Sequence, residues 1–563
     1  MRRMLKPGAA LANTLWLAQG AGPAIRYARA LRDPATAQAR WLRRQLQQHA
    51  SSEIGLAHDF AGIRDAAAYA RAVPLTDYSS LAPAIERVRR GARDVLSCDR
   101  VTHLAPTSGS TGARKLIPFT ATLQGGFSQA VAAWMHDLLR QRPRLIGGPA
   151  YWSVSPLAGE DALPDEALVQ SPSADASRQA EGSYPLIPIG FADDADYLGG
   201  AAAALVRQAM AAPDSLRHVR DVDSFWALSL LALLRQPALR LISVWHPSFL
   251  DLLVESAAGV WPLLLEGVAS GECPWSRQLP PGARGDFRGA PAPQRAAALR
   301  RIGPDDWRRW WPQLQVVSCW GDQGAAGGFR RLRETLPGVL VQAKGLLATE
   351  GVITIPYGDA RPLALTSHYF EFLDDHGEVR LAHQLQRGHR YEVVLTNGGG
   401  LWRYRLGDEV ECTGAVHAAP SLRFVGRRGL VSDLRGEKLS ETFVGEALRS
   451  LWGDGAMPGY AALRATCVDD GRDARYELLV SDDFMRPMSN ERDGAAAREQ
   501  LAARLEEALG ANPHYAVARR LGQLQQVVVV VVPPETARAE LRSFAGRIGD
   551  AKPRVLLGTL EGS

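Results

Sequence analysis

The chain has 563 residues, of which 46% are hydrophobic and 22% charged, with a formal net charge of +5. That length exceeds one ordinary domain, and the composition allows a large core and excludes a disordered chain. The positive excess is mild and its arginines are scattered with no aromatic–basic motif, so no nucleic-acid partner is expected.

Along the chain, Arg2, Arg3 and Lys6 precede "AALANTLWLA", an apolar run that Asn13 interrupts. We read it as a surface-docked helix rather than a leader, because no clear cleavage motif follows. "ARWLRRQLQQHA" has apolar positions at helical spacing with cations opposite. In "VPLTDYSSLAPAIERVRRG", Pro74 and Asp77 are turn signals before another helix. A short apolar strand then leads into "LAPTSGSTGARKLIPFT", Leu104 to Thr120, and a helix is predicted over Leu123 to Leu139. Residues 158–183 and 274–294 read as loops, with helices such as "FWALSLLALLRQ" between them. From Leu314 to Val425 short β-rich runs alternate with turns: "LQVVS", "VLVQA", "GVITIP", "HYFEFLDD", "YEVVLTN", "DEVECTG" and "LRFVG".

A polar stretch, "SDLRGEKLSE", follows, and we place a hinge near Leu430 to Arg435. The tail mixes helices and strands: "ETFVGEALRSLW", "ALRATCV", "YELLVS", a long Ala/Glu/Arg helix, and the valine run Val527 to Val532 closed by Pro533 and Pro534. That run reads as a buried strand and is too short to span a bilayer as a helix. No membrane domain is expected. The five cysteines, Cys98, Cys273, Cys319, Cys412 and Cys467, form no CxxC pair, so neither a zinc site nor a disulfide framework is indicated. A reduced cytoplasmic compartment is the expectation.

The chemistry concentrates in four places. In the loop, Gly109 and Gly112 let backbone N–H groups approach an anion, Ser108, Ser110 and Thr111 add hydroxyls, and Lys115 adds a point charge beside a helix start. The spacing is neither a P-loop nor GxGxxG, so taken alone the loop is a phosphate site or a plain turn. "KGLLATEG" places Thr349 and Glu350 at a strand start, where the carboxylate is either a metal ligand near phosphate or a surface glutamate. "GGGLWRYRLGDEVE" has a flexible turn and then Asp408 at a strand junction, able to accept ribose hydroxyls or to cap a hairpin. "FVGRRGLVSDLRGEKLSE" offers Arg427 for ribose or phosphate and Lys438 in a mobile segment, or a solvated charge cluster.

Together these motifs resemble the adenylate-forming superfamily. Within it the whole chain is similar to the auxin-responsive acyl acid amido synthetases, in a bacterial branch. The similarity also runs through "SVWHPSFLDLL", "VSCWGDQGA", "YFEF", "NPHYAVARR" and "GDAKPR". It implies a luciferase-like α/β fold: a large N-terminal domain of β-sheets with flanking helices, residues 1–430, binding ATP and acyl acid, and a smaller mobile α+β domain, residues 431–563. It implies ATP and Mg²⁺, activation of a small carboxylic acid as its acyl adenylate, and transfer to an amine or amino acid. Carried over by motif, Ser108, Ser110, Thr111, Gly112 and Lys115 match the phosphate loop, and Thr349 and Glu350 the second motif, with Glu350 the Mg²⁺ ligand. Asp408 matches the ribose-binding aspartate of YRxGD and Arg427 the arginine after it. Lys438 and Lys552 match lysines delivered by the C-terminal domain. The sequence departs at Leu346, where the plant pattern YxSSE has an aromatic residue. An acyl ligase handing the adenylate to coenzyme A or a carrier thiol is the alternative, and a catalytically silent nucleotide-binding scaffold the next.

Overall fold

The computed structural model describes residues 7–106, 115–153, 187, 200–219, 221–279, 281–322, 325–427 and, with shorter breaks, 431–557. The N-terminal apolar run is a 26-residue helix, Pro7–Arg32. Asn13 does not interrupt it. Its side chain is buried and its amide reaches the carbonyls of Leu145, Ile146 and Gly148 at 3.4, 3.3 and 3.0 Å, so the polar residue docks the helix. Asp77 caps the helix Tyr78–Arg89 in a reciprocal capping box with Ser80.

Strands β1 (Val101–Pro106) and β2 (Leu116–Thr120) pair antiparallel and flank the Gly/Ser loop, whose residues 107–114 lie outside the described part. β3 (Ala150–Trp152), β4 (Leu241–Ser243), β5 (Val316–Cys319) and β6 (Leu340–Ala343) form a parallel sheet in that order. Such sheets are covered on both faces, and the period-2 alternation of strands shows it here. Leu241 and Val316 face one core, Ile242 and Val317 a second. The first core includes Phe127 and Trp134 of the helix Ala121–Gln141 and Phe372 and Val393 of an antiparallel sheet described below. The second holds the helix Val222–Leu234, with eleven of its thirteen residues buried. At about 1.5–3 kcal/mol per large apolar side chain, that burial fixes it as a core helix. No single helix among the described residues is long and apolar enough to cross a membrane.

β7 (Leu347–Ala348) and β8 (Gly351–Val352) make a tight hairpin. β9 (Tyr369–Leu373), β10 (Val379–Leu381), β11 (Arg390–Thr396), β12 (Tyr404–Val416) and β13 (Ala419–Arg427) form the antiparallel sheet, in the order β10-β9-β11-β12-β13. β14 (Val431–Ser432) and β15 (Leu439–Ser440) pair as a short ribbon. The tail builds a separate sheet, β18-β17-β16-β19, from β16 (Ala461–Val468), β17 (Asp473–Ser481), β18 (Val528–Val532) and β19 (Leu556–Leu557). Helices Glu441–Trp452 and Glu491–Gly510 cover it and share its core. The valine strand is not fully buried as expected. Among the described residues it is an edge strand paired with β17 alone, and Val528 is 40% exposed. A β-branched run fits a pleated strand wherever it sits, and sequence alone does not say whether both of its edges are paired.

The helix Glu441–Trp452 rests on the antiparallel sheet. Thr442 donates its hydroxyl to Glu409 at 2.8 Å, and Arg390 pairs with Glu446. A Cβ at Gly426 would come within 2.6 Å of the Thr442 hydroxyl oxygen, so glycine is what permits this approach.

Candidate active site

The phosphate-loop residues Ser108, Ser110, Thr111 and Gly112 lie outside the described residues, but the ends of that loop are fixed. The Tyr78 hydroxyl accepts the Leu116 N–H at 2.9 Å, and the Lys115 ammonium sits 5.8 Å from the Tyr78 ring centroid. At the other side Thr120 caps the following helix by accepting the Leu123 N–H, and donates its hydroxyl to the Gly398 carbonyl at 2.7 Å.

That carbonyl belongs to the turn Asn397–Gly400, which the sequence reading treats as flexible. It is close-packed instead. Added Cβ atoms at Gly398 and Gly399 would lie 2.4 Å from Thr122 and from the Pro118 carbonyl, and Gly400 adopts φ +98°. Asn397, unmarked by motif, organises the turn and is fully buried. Its carbonyl oxygen accepts the N–H groups of Gly399 and Leu401 at 2.9 and 3.1 Å. Its amide donates to the Glu350 carbonyl at 2.7 Å. The only sequence signal was an Asn ahead of three glycines, a common turn pattern.

Thr349 and Glu350 do not begin a strand. They are the two-residue turn between β7 and β8, because Ala348 pairs with Gly351. Gly351 lets the backbone pass His368, whose Nε2 accepts the Val352 N–H at 3.1 Å. Glu350 is buried. Leu346, in the aromatic slot, is buried in the first core, and its N–H donates to the Thr354 hydroxyl at 2.7 Å.

Asp408 is likewise not at a junction or turn. It lies within β12, is fully buried, and stands opposite Arg427 across the β12–β13 ladder. Two residues singled out separately in the sequence are therefore cross-strand neighbours, placed there by register. β12 is held from below by buried charge. Arg403, at φ +47°, donates to Glu371 at 2.9 Å and to the carbonyls of Ala70 and Val73 at 2.9 and 2.7 Å. Burial pushes the Glu371 carboxyl up, and Arg403 opposes the shift. Arg405 clamps Glu392 with two bonds of 2.9 and 2.8 Å. Thr76 bonds to Trp402, Arg403 and Arg405, so the "VPLTD" segment is docked onto the "LWRYR" segment.

Lys438 and Lys552 lie outside the described residues, but their flanks meet. Glu441, three residues after Lys438, accepts the N–H of Val555, three residues after Lys552, at 3.3 Å. The Val555 carbonyl accepts the Leu463 N–H at 2.8 Å, and β19 pairs with β16. The described flanks, Glu441 and Val555, therefore meet at one corner of the C-terminal sheet.

Of the histidines singled out by residue type, His103 stacks on Phe119 at 4.7 Å between centroids, His389 is exposed, and His246 and His368 are buried. Burial lowers His368 to about 3, and burial together with Arg331 lowers His246 to about 4. Both are neutral when folded and charge when unfolded below pH 6.5. The unfolded state then binds more protons, so stability is complete above that pH and falls as pH drops toward 4 and 3. The unfolding free energy from urea titration, and with it the midpoint, is expected to fall between pH 7 and pH 5, by about 2 kcal/mol for each histidine. An unchanged midpoint would show that these rings charge within the fold.

Among the described residues no group of three or more His, Cys, Asp or Glu side chains is arranged as a metal site. Of the aromatics considered for an acyl pocket, Tyr151 and Trp226 belong to the second core, while Trp134 and Trp245 face a lysine taken up below.

The model of the GH3 family N-terminal domain matches residues 25–341, and that of the GH3 family central domain matches residues 362–427. A probable indole-3-acetic acid-amido synthetase, GH3.12, of Oryza sativa subsp. japonica is 26% identical over 553 residues, covering 88% of this chain and 86% of the relative. Among solved structures, AtGH3.15 acyl acid amido synthetase in complex with 2,4-DB superposes with a TM-score of 0.77 at 18% identity, over 94% of this chain and 92% of that one. A 2-hydroxyisobutyryl-CoA ligase in its postadenylation state follows at 0.50 and 13%, over 96% and 89%. The fold is thus the mixed α/β fold of adenylate-forming ligases. With the family model matching more than half of its length, the chain belongs to the GH3 family.

Proposed function

We propose that the protein is an ATP-dependent acyl acid amido synthetase. The observation that carries this is the convergence on the loop strand. Thr120 at the end of β2 holds the Asn397–Gly400 turn, and Asn397 holds Glu350. The same turn leads into β12, where Asp408 stands opposite Arg427.

In the first step the acid's carboxylate oxygen bonds to the α-phosphorus of ATP, and the bond to the leaving pyrophosphate breaks. The loop hydroxyls and Lys115 cradle the phosphates, while Asp408 and Arg427 anchor the ribose. Glu350 would hold Mg²⁺, which when bound would supply neutralising charge for the triphosphate. In the second step the amine nitrogen bonds to the carbonyl carbon, AMP departs with its oxygen, and the amine loses a proton. Residues 1–430 act as the binding domain and 431–563 as a mobile one carrying Lys438 and Lys552. The partners are a small carboxylic acid and an amine or amino acid. The setting we propose is a bacterial cytoplasm.

The test is exchange of radiolabelled pyrophosphate into ATP, measured against a panel of carboxylic acids with and without Mg²⁺. Acid- and metal-dependent exchange is expected, with AMP release rising on addition of amino acids. Release of ADP and phosphate would end the adenylation reading, and acceleration by coenzyme A without response to any amine would favour the thiol ligase.

A further inference from the structure

Lys344 follows β6 and is used by none of the steps above. Its ammonium donates to the Ser243 hydroxyl at 2.6 Å and lies 5.5 and 5.2 Å from the ring centroids of Trp134 and Trp245. No carboxylate among the described residues pairs with it. Burial pulls its pKa down to about 8, the Cys319 thiol opposing, so it is mainly charged at neutral pH.

The surroundings gather at one end of the parallel sheet. Ser243 ends β4, Trp152 ends β3, and Lys344 directly follows β6. All three stand at the carboxyl ends of parallel strands, where open α/β sheets take their ligands. Trp134 is locked by its indole N–H bond to Gln342 at 2.9 Å and stacks on Trp152 at 6.3 Å and 22°. The Trp152 indole N–H is buried without a partner. Flat apolar walls with a cation and an unfilled donor are the makings of a small-molecule site.

We propose that Lys344 reads a second oxygen acceptor on the acyl acid, a hydroxyl, carbonyl or carboxylate distinct from the reacting carboxylate, on a frame seated between Trp134 and Trp245. This rests on the adenylation reading. A fixed ammonium suits a group that stays unchanged through the reaction. Holding the nucleophilic carboxylate would tie up the electron pair that must attack phosphorus. It would also lose its partner once that oxygen is esterified.

The experiment is pyrophosphate exchange with matched acids: benzoate against its hydroxy and carboxy derivatives, and hexanoate against adipate. Wild type is expected to prefer the substituted members in kcat/KM. Lys344→Met should cut that preference at least tenfold, with little change for benzoate, hexanoate or the KM for ATP. Lys344→Gln, which keeps a donor, should restore part of it. Wild-type preference for the unsubstituted acids overturns the proposal without any variant. So does an equal loss across all acids, or a loss that falls on ATP. Absence of acid-dependent exchange in wild type would instead remove the adenylation reading beneath it.

Discussion

Glu350→Ala is expected to lower acid-dependent pyrophosphate exchange by roughly 10³-fold, the upper end for one preorganised electrostatic group. The physical case is unusually separable here. Asn397 holds the backbone carbonyl of residue 350, not its side chain, and alanine keeps that carbonyl. The β7–β8 hairpin pairs through residues 348 and 351, so the turn itself survives. What is lost is a buried carboxylate. Circular dichroism should match wild type, and the Mg²⁺ concentration for half-maximal exchange should rise. Retention of full exchange would reassign Glu350 to the turn and leave the triphosphate to other groups.

Lys552→Ala should cut the same exchange by roughly 10²-fold or more, yet leave turnover of a synthetic acyl adenylate with amine nearly unchanged. Val555, three residues further on, donates its N–H to Glu441, and the strand after it pairs with β16. In the two-step reaction we propose, the Lys552 charge is present when the α-phosphate reacts and withdrawn when the amine enters. A paired assay on one purified variant decides it. Equal losses in both halves would show that the lysine serves both steps or serves the fold.

Much of the architecture was legible from local pattern. "ETFVGEALRSLW" is the helix Glu441–Trp452, and the β-rich runs after Leu314 became strands wherever alternation was long enough to set a face. "GVITIP" gave only Gly351–Val352, because the close passage of His368 and the Thr354 bond to Leu346 bend the chain away. The motifs named the candidate residues but did not give their geometry. Asp408 reads as a turn residue because Gly407–Asp408 is a common turn pair, yet Gly407, at φ +78°, sits within a long strand. Asn397 was missed because its role is a contact across 47 positions of chain, which no window of sequence contains.

The parallel sheet has a consequence for how such a protein can diversify. Its alternating residues serve two different cores, and residues of β11 and β9 belong to the first, while the helix Val222–Leu234 belongs to the second. Drift among the side chains of the second core does not reach those of the antiparallel sheet, which pack in the first. Neighbouring packing changes couple strongly and distant ones add, so the two faces are nearly independent inheritances. A lineage could then vary one face many times while the other stayed still.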